Sequence, residues 1–307
     1  MNLIECFKIR LLELSVEESL ITFGEKSKEI LTIPFDKDGK SNPIIIVADP
    51  FLFVYRDELY LFYEEKRLYS PGILRMMRTK DLKDWTDPVT VLQESFHLSY
   101  PFVFKTDGHV YMIPETCNAE EVRLYQADND ELTHFSQTGV LLGHFQKNEQ
   151  ITINYSDSSV LKKAGMFYLM TTLEIDNKNQ LLLYISDNLQ GPYKEHPSSP
   201  VCMSKKYGRN AGSLIQYDGK LYRVAQDCEN RYGDNVHLFE IEEMTESNYE
   251  EHVVKEKLLN TSIPFYKEGG HQLNMVRFNN KTIIATDAKE YHSFLVTRTI
   301  NKMKNLI

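Results

Sequence analysis

The sequence predicts an all-β fold: a five-bladed β-propeller with four antiparallel strands per blade. Three observations predict it. A degenerate repeat of strand, polar turn and strand starts at Asp49, Tyr100, Asp157, Ala211 and His271, at intervals of 51, 57, 54 and 60 residues. Each copy runs on into further short strand-like segments, giving four strands per ~50 residues, the size of a propeller blade. The aromatics, 18 Tyr and 16 Phe against one Trp, sit in short runs beside Leu, Val and Ile, as strands prefer.

The first copy, DPFLFVYRDELYLFYE, turns at Arg56-Asp57-Glu58 and places Tyr60 eleven and Glu64 fifteen residues after its start. GILRMMRT and TKDLKDWTDPVTVL supply its outer strands. The second, YPFVFKTDGHVYMIPE, turns at Thr106-Asp107-Gly108 and repeats both offsets with Tyr111 and Glu115. EVRLYQAD and LTHFSQTGVLL follow. The third, DSSVLKKAGMFYLMTT, carries Tyr168 and continues with QLLLYISD and NLQGPYKEHPSSPV. The fourth, AGSLIQYDGKLYRVAQ, carries Tyr222 and continues with NVHLFEIEEM and NYEEHVV. The fifth, HQLNMVRFNNKTIIAT, has Thr282 in place of the Tyr, continues with SFLVTRTI and lacks an outer strand. Residues 1–42 are expected to close the ring by lending ITFGEKSKEILTI, although FKIRLLELSVEE reads equally as a helix. Residues 43–307 then form the propeller.

Composition excludes several function classes. With 35 Lys and Arg against 44 Asp and Glu, the net charge is −9, the wrong sign for a nucleic-acid or anionic-membrane partner. No run of 18 apolar residues marks a membrane-spanning helix. Cys6, Cys117, Cys202 and Cys228 lack zinc-site spacing and read as reduced thiols. Glu5, Lys8, Arg10 and Glu13 interrupt any signal-peptide core, so a cytoplasmic setting is expected. Neither a Walker loop nor a dinucleotide fingerprint occurs.

In a propeller the innermost strands line a central channel, so repeat-equivalent positions converge at one mouth. The repeat starts and the positions fifteen residues on provide Asp49, Tyr100, Asp157, His271, Glu64, Glu115 and Gln226. Their neighbours add His97, Arg209, Asn210, Asp227, Asn274 and Asp287, and Tyr232 offers a ring to stack on a sugar. Several carboxylates meeting in one channel repel one another and so point to function. Paired carboxylates suit sugar chemistry, one removing a proton and the other assisting a leaving group. A divalent metal is the rival use of such a ring.

The motifs ADPFLF (48–53), FHLSYPFVF (96–104), MIPET (112–116), DSSV (157–160), RNAG (209–212) and QDC (226–228) with YG (232–233) carry a resemblance. Over residues 43–300 the chain resembles the five-bladed propellers of glycoside hydrolase family 43. It is more closely similar to the amino-terminal domain of plant glucosamine inositolphosphorylceramide transferases and related bacterial single-domain proteins. The hydrolase resemblance implies Asp49 as general base and Asp157 as the carboxylate that orients and tunes an acid. The family's acid stands at the start of the fourth blade, where this chain has Arg209-Asn210-Ala211. Glu115 is the replacement candidate.

That departure favours a phosphate leaving group, which departs without protonation and wants cationic partners. Arg209, Asn210 and His271, with Lys205 and Lys206, are the expected ones. The reading is a cytoplasmic glycosyltransferase moving a sugar from a phosphate-activated donor, with a furanose or pentose suggested by analogy with the hydrolases. The acceptor is a glycan or glycolipid in surface-polysaccharide assembly, alongside other assembly enzymes. A family 43-like hydrolase and a non-catalytic sugar-binding propeller are the alternatives.

Overall fold

The computed structural model describes residues 3–38, 41–143, 154–175 and 177–294. They form five antiparallel sheets, the blades of a five-bladed propeller. The first blade runs Ile44–Tyr55, Glu58–Arg67, Ile73–Thr79 and Val89–Leu92 from the channel outward. The second runs Ser99–Thr106, His109–Glu115, Val122–Ala127 and Phe135–Leu142. In the third, Tyr155–Lys163, Met166–Ile175 and Lys178–Ser186 are followed by two short edge strands, Lys194–Glu195 and Cys202–Met203. In the fourth, the inner strand is split into Arg209–Asn210 and Ile215–Tyr217, both paired with Lys220–Asp227, ahead of Asn235–Met244 and Tyr249–Lys255.

The fifth blade corrects the sequence reading. Its inner strands are Leu273–Phe278 and Lys281–His292, and its third strand is Ile4–Glu13, paired along its whole length with Ile283–His292. Lys28–Ile33 is the outer strand. The N-terminal segment therefore lends two strands rather than one, and FKIRLLE is strand. Its period decides the matter: Ile9 and Leu11 are fully buried, while Lys8 and Arg10 point outward to Glu290 and Glu29. The third strand expected in SFLVTRTI has no place beside Lys281–His292, because Ile4–Glu13 fills it. Ser293 and Phe294 follow that strand as irregular chain, and the remainder of the motif lies outside the described residues.

Apolar clusters occupy the spaces between neighbouring blades. Phe51, Phe62, Phe102, Met112 and Tyr125 pack the first blade on the second. Ile9, Leu11, Leu61 and Ile283 pack the fifth on the first. Leu12, Val224, Leu238 and Ile284 pack the fourth and fifth. The aromatic runs of the sequence are therefore inter-blade packing, and the polar repeat positions are left to the channel.

The closure sets a test. Leu11→Ala removes a fully buried side chain from the junction of blades one and five and is expected to cost about 2–5 kcal/mol. Val16→Ala, at a fully exposed position, is expected to stay within ~0.5 kcal/mol. Urea unfolding measures both, and equal costs would contradict the closure.

Candidate active site

Asp49, Tyr100 and Asp157 share one backbone device. Each has a left-handed conformation, with φ of 52°, 48° and 51°. In each blade the register steps across them: Ala48↔Glu64 to Phe51↔Phe62, Ser99↔Glu115 to Phe102↔Ile113, and Ser156↔Thr172 to Ser159↔Met170. Two inner-strand residues thus face one partner, which defines a β-bulge. A bulge turns a side chain out of the pleat, and holding a non-glycine residue there costs of order 1 kcal/mol. That cost persists only where other contacts fix the position.

Asp287 supplies those contacts at the first bulge. Its carboxylate is wholly buried and accepts the backbone N–H groups of His271 (2.8 Å), Gln272 (3.1 Å) and Asp49 (3.2 Å). It also lies 2.6 Å from His271 Nδ1. Asp49 in turn accepts the Tyr100 N–H at 3.0 Å, so blade five holds blade one and blade one holds blade two. The His271 ring is fixed further by stacking on Phe7, 4.5 Å between centroids, with Tyr232 edge-on at 5.3 Å.

Around these groups lies a cavity of about 260 Å³. Its walls include Asp49, Glu64, His97, Glu115, Asp157, Arg209, Tyr232 and His271, which the repeat positions and their neighbours singled out. Glu5, Phe7, Ile45, Ile46, Lys66 and Ser99 line it as well and were not anticipated. Lys66 was within reach of the sequence, being two residues past Glu64 on the same strand face. Glu5 and Phe7 enter only through the ring closure.

Charges in the cavity are arranged in opposed sets. Arg209 Nε lies 2.6 Å from Asp157 and its Nη2 3.6 Å from Glu115, with the guanidinium over the Tyr232 ring at 5.3 Å. Burial pushes the Asp157 carboxyl upward, and Arg209 opposes that push. Burial likewise raises Asp49 to about 6, against the pull of His271 at 3.7 Å. For His271, burial disfavours the imidazolium, but Asp287 and Asp49 outweigh it and raise the group to about 9. Burial, reinforced by Asp49, holds the Glu64 carboxyl well above the usual carboxylate range. Glu64 faces His97 Nε2 at 3.5 Å, while His97 Nδ1 accepts the Gly72 N–H at 2.9 Å. Residue 72 must be glycine, since a Cβ there would stand 2.7 Å from the His97 ring.

Five expected site residues do other work. Tyr100 is buried, and its hydroxyl donates to Gly212 O at 2.7 Å and accepts Gly212 N–H at 3.1 Å, bracing blade two against blade four. Asn210 donates to the Asp157 carbonyl at 2.9 Å. Asn274 accepts the Leu52 N–H and donates to Ser213. Asp227 pairs with buried His237 inside blade four, and Gln226 is buried opposite Arg209 in the strand ladder. None of the five lines the cavity, and neither does Asp287; all but Gln226, whose amide nitrogen is buried without a hydrogen-bond partner, answer a backbone or buried side-chain demand at a blade junction or within blade four. Lys205 and Lys206 also lie off it, with Lys206 paired to Glu256.

Asp49, His271 and Asp287 offer three metal-ligand atoms within 4.8 Å of one another. They fit a divalent cation poorly. Asp287 is already engaged by three N–H groups and the imidazole, which leaves Asp49 and His271 Nε2 as the open donors.

Two outcomes follow. Tyr100→Phe removes both bonds to Gly212 and should cost about 1–3 kcal/mol in chemical denaturation. His271, raised from 6.5 to about 9, contributes stability that is fully present below pH 6.5 and lost as pH rises through about 9. His271→Gln should remove that decline, worth at most about 3 kcal/mol, from a series of unfolding curves between pH 6 and 10.

Comparison with known proteins places the chain. The family model described as "Glucosamine inositolphosphorylceramide transferase 1, N-terminal" matches residues 28–287. Glucosamine inositolphosphorylceramide transferase 1 of Oryza sativa subsp. japonica is 35% identical over 261 residues, 82% of this chain and 33% of that protein. The Arabidopsis thaliana protein of the same name is 32% identical over 217 residues, 68% of this chain and 27% of that protein. The chain thus spans about a third of the length of these curated relatives. Among solved structures, a family 117 glycoside hydrolase of Zobellia galactanivorans aligns with TM-score 0.55 at 13% identity, over 79% of this chain and 84% of that one. A thermostable family 43 glycoside hydrolase aligns with TM-score 0.53 at 14% identity, over 71% and 76%. These two likenesses concern the fold. The family match and the plant relatives go further: this chain belongs to the family of the amino-terminal domain of glucosamine inositolphosphorylceramide transferase 1.

Proposed function

We propose that the cavity is the active site of a glycosyltransferase that moves a single sugar from a phosphate-activated donor to a hydroxyl of a glycan or glycolipid. One observation carries this reading. Asp49, a buried carboxylate raised to about 6, opens on the cavity as a base poised near neutrality, while the fourth-blade position facing it is Arg209. A guanidinium keeps its proton at every physiological pH and cannot protonate a leaving group. With no proton donor at that position, a leaving group that departs unaided, as a phosphate does, is favoured.

In this mechanism Asp49 takes the proton of the acceptor hydroxyl as that oxygen attacks the anomeric carbon, and the phosphate leaves from the opposite face. His271, raised to about 9, stays protonated and is itself held by Asp287, so it steadies Asp49 in its ionised form. Arg209 holds Asp157 and Glu115 in the wall, where they accept hydrogen bonds from sugar hydroxyls. A cavity of about 260 Å³ suits one sugar ring rather than an extended polymer. The names of the plant relatives, which speak of transfer, glucosamine and an inositolphosphorylceramide, support a sugar donor and a glycolipid acceptor. The unpaired cysteines suit a cytoplasmic place in surface-glycan assembly.

Hydrolysis is favoured by a different observation. Glu64 is buried, lines the same cavity, and is held well above the usual carboxylate range, as a proton donor to a poor leaving group requires. The two readings separate by mutation. Transfer predicts that Asp49→Asn lowers kcat roughly 100- to 10,000-fold on a sugar-phosphate donor and abolishes a rate limb near pH 6. It also predicts that Glu64→Gln keeps most of that turnover. A collapse of aryl-glycoside cleavage in Glu64→Gln, with no donor consumed by the parent protein, would overturn transfer in favour of hydrolysis.

A further inference from the structure

Almost every charged side chain that lines the cavity has an opposite charge of its own. Asp157 and Glu115 face Arg209, at 2.6 and 3.6 Å. Asp49 faces His271 at 3.7 Å, and His271 faces Asp287. Glu64 lies 3.5 Å from His97, a ring that burial holds below its ordinary value, and its carboxyl is pulled down at longer range by His271 and Lys66. Glu5 lies 3.7 Å from the buried Lys289 ammonium and accepts the Tyr291 hydroxyl at 3.3 Å. Lys66 is the exception: among the described residues no carboxylate lies within ion-pair distance of it. Its sequence neighbour Glu65 is turned toward Arg75 at 3.6 Å.

The position of Lys66 is set by the first blade. It pairs with Ile46 in the ladder, while Glu64 pairs with Ala48. Lys66 and Glu64 therefore share one strand face, and Lys66, half-buried, stands one step along it from the Glu64–Asp49 level. Deeper in, a ligand anion is unwelcome. Arg209 is outnumbered by Asp157 and Glu115, and His271 by Asp49 and Asp287, so each set leaves negative charge behind. The arginine expected to receive a phosphate is already committed to two carboxylates.

We propose that Lys66 is the residue that receives the anionic phosphate of the sugar-phosphate ligand, holding it beside Ile46 while the sugar ring lies inward against Asp49. This rests on the transfer reading and names the recognition site within it. The shared chemistry is a sugar-linked phosphate ester, met either in a soluble donor or in the headgroup of a lipid acceptor. An ammonium serves such a group as a point charge on a flexible stem.

Binding to the full chain tests the proposal without any turnover. One arm titrates glucose 1-phosphate against glucose by calorimetry. The other measures co-sedimentation with vesicles of phosphatidylcholine alone or with phosphatidylinositol added. The expected result is a preference for the phosphorylated partner in one arm, which identifies the source. Lys66→Met should weaken that preference roughly tenfold and flatten its salt dependence, and Lys66→Arg should retain it. Melting temperatures report folding, and Lys66→Met keeps most of the side-chain stem. Two results overturn the proposal: no phosphate preference in either arm, or a preference that Lys66→Met leaves intact. Asp49→Asn separates this from the reading beneath it. It should abolish turnover yet keep the phosphate preference, so loss of the preference in Lys66→Met alone and loss of turnover in Asp49→Asn alone fail independently.

Discussion

The channel mouth depends on one buried carboxylate. Asp287 has no access to solvent, so its charge must be compensated from within, and three backbone N–H groups and the His271 imidazole do so. Two of those N–H groups belong to its own blade and one to Asp49 of the neighbouring blade. The same contacts that satisfy Asp287 thereby join blade five to blade one, hold the left-handed bulge at Asp49 and orient His271. The placement of Asp49, its counter-charge and the seam of the ring are consequences of a single desolvated group.

Electrostatics at this mouth follows from sets in which one cation faces two carboxylates, Arg209 against Asp157 and Glu115 and His271 against Asp49 and Asp287. Five lining carboxylates crowded into a small cavity would otherwise neutralise by taking up protons. Burial raises the Glu64 carboxyl well above the usual carboxylate range, and the histidine beside it, His97, is itself held down by burial. Burial raises Asp157 as well, against the pull of Arg209, and raises Asp49 to about 6 against the pull of His271. Carboxylates of one chemical type are thus set in different environments by their neighbours.

Much of this was legible in the sequence because propeller symmetry converts a repeat into a ring. Asp49, Asp157, Glu64, Glu115 and His271 recur at matched offsets and do meet in the cavity. His97, Arg209 and Tyr232 were found as neighbours of those positions. The same logic misplaced Tyr100, whose repeat position is right but whose phenol is long enough to cross to Gly212. It misplaced Asn210 and Asn274 too, since amides near strand ends serve the backbone groups that irregular blade junctions leave open.

The sequence by itself determined the blade number, the strand order within the first four blades and the convergence of carboxylates, because these follow from period and polarity along one chain. The tertiary structure alone decided which strand closes the fifth blade, and through it brought Glu5 and Phe7 to the cavity from the far end of the chain. It alone decided which charges are already matched. Ion pairing depends on distances of a few ångströms between blades some 50 to 240 residues apart, and no spacing in the sequence encodes them. Arg209 looked free on paper and is held by two carboxylates; Lys66 drew no notice and, among the described residues, has no carboxylate within ion-pair distance.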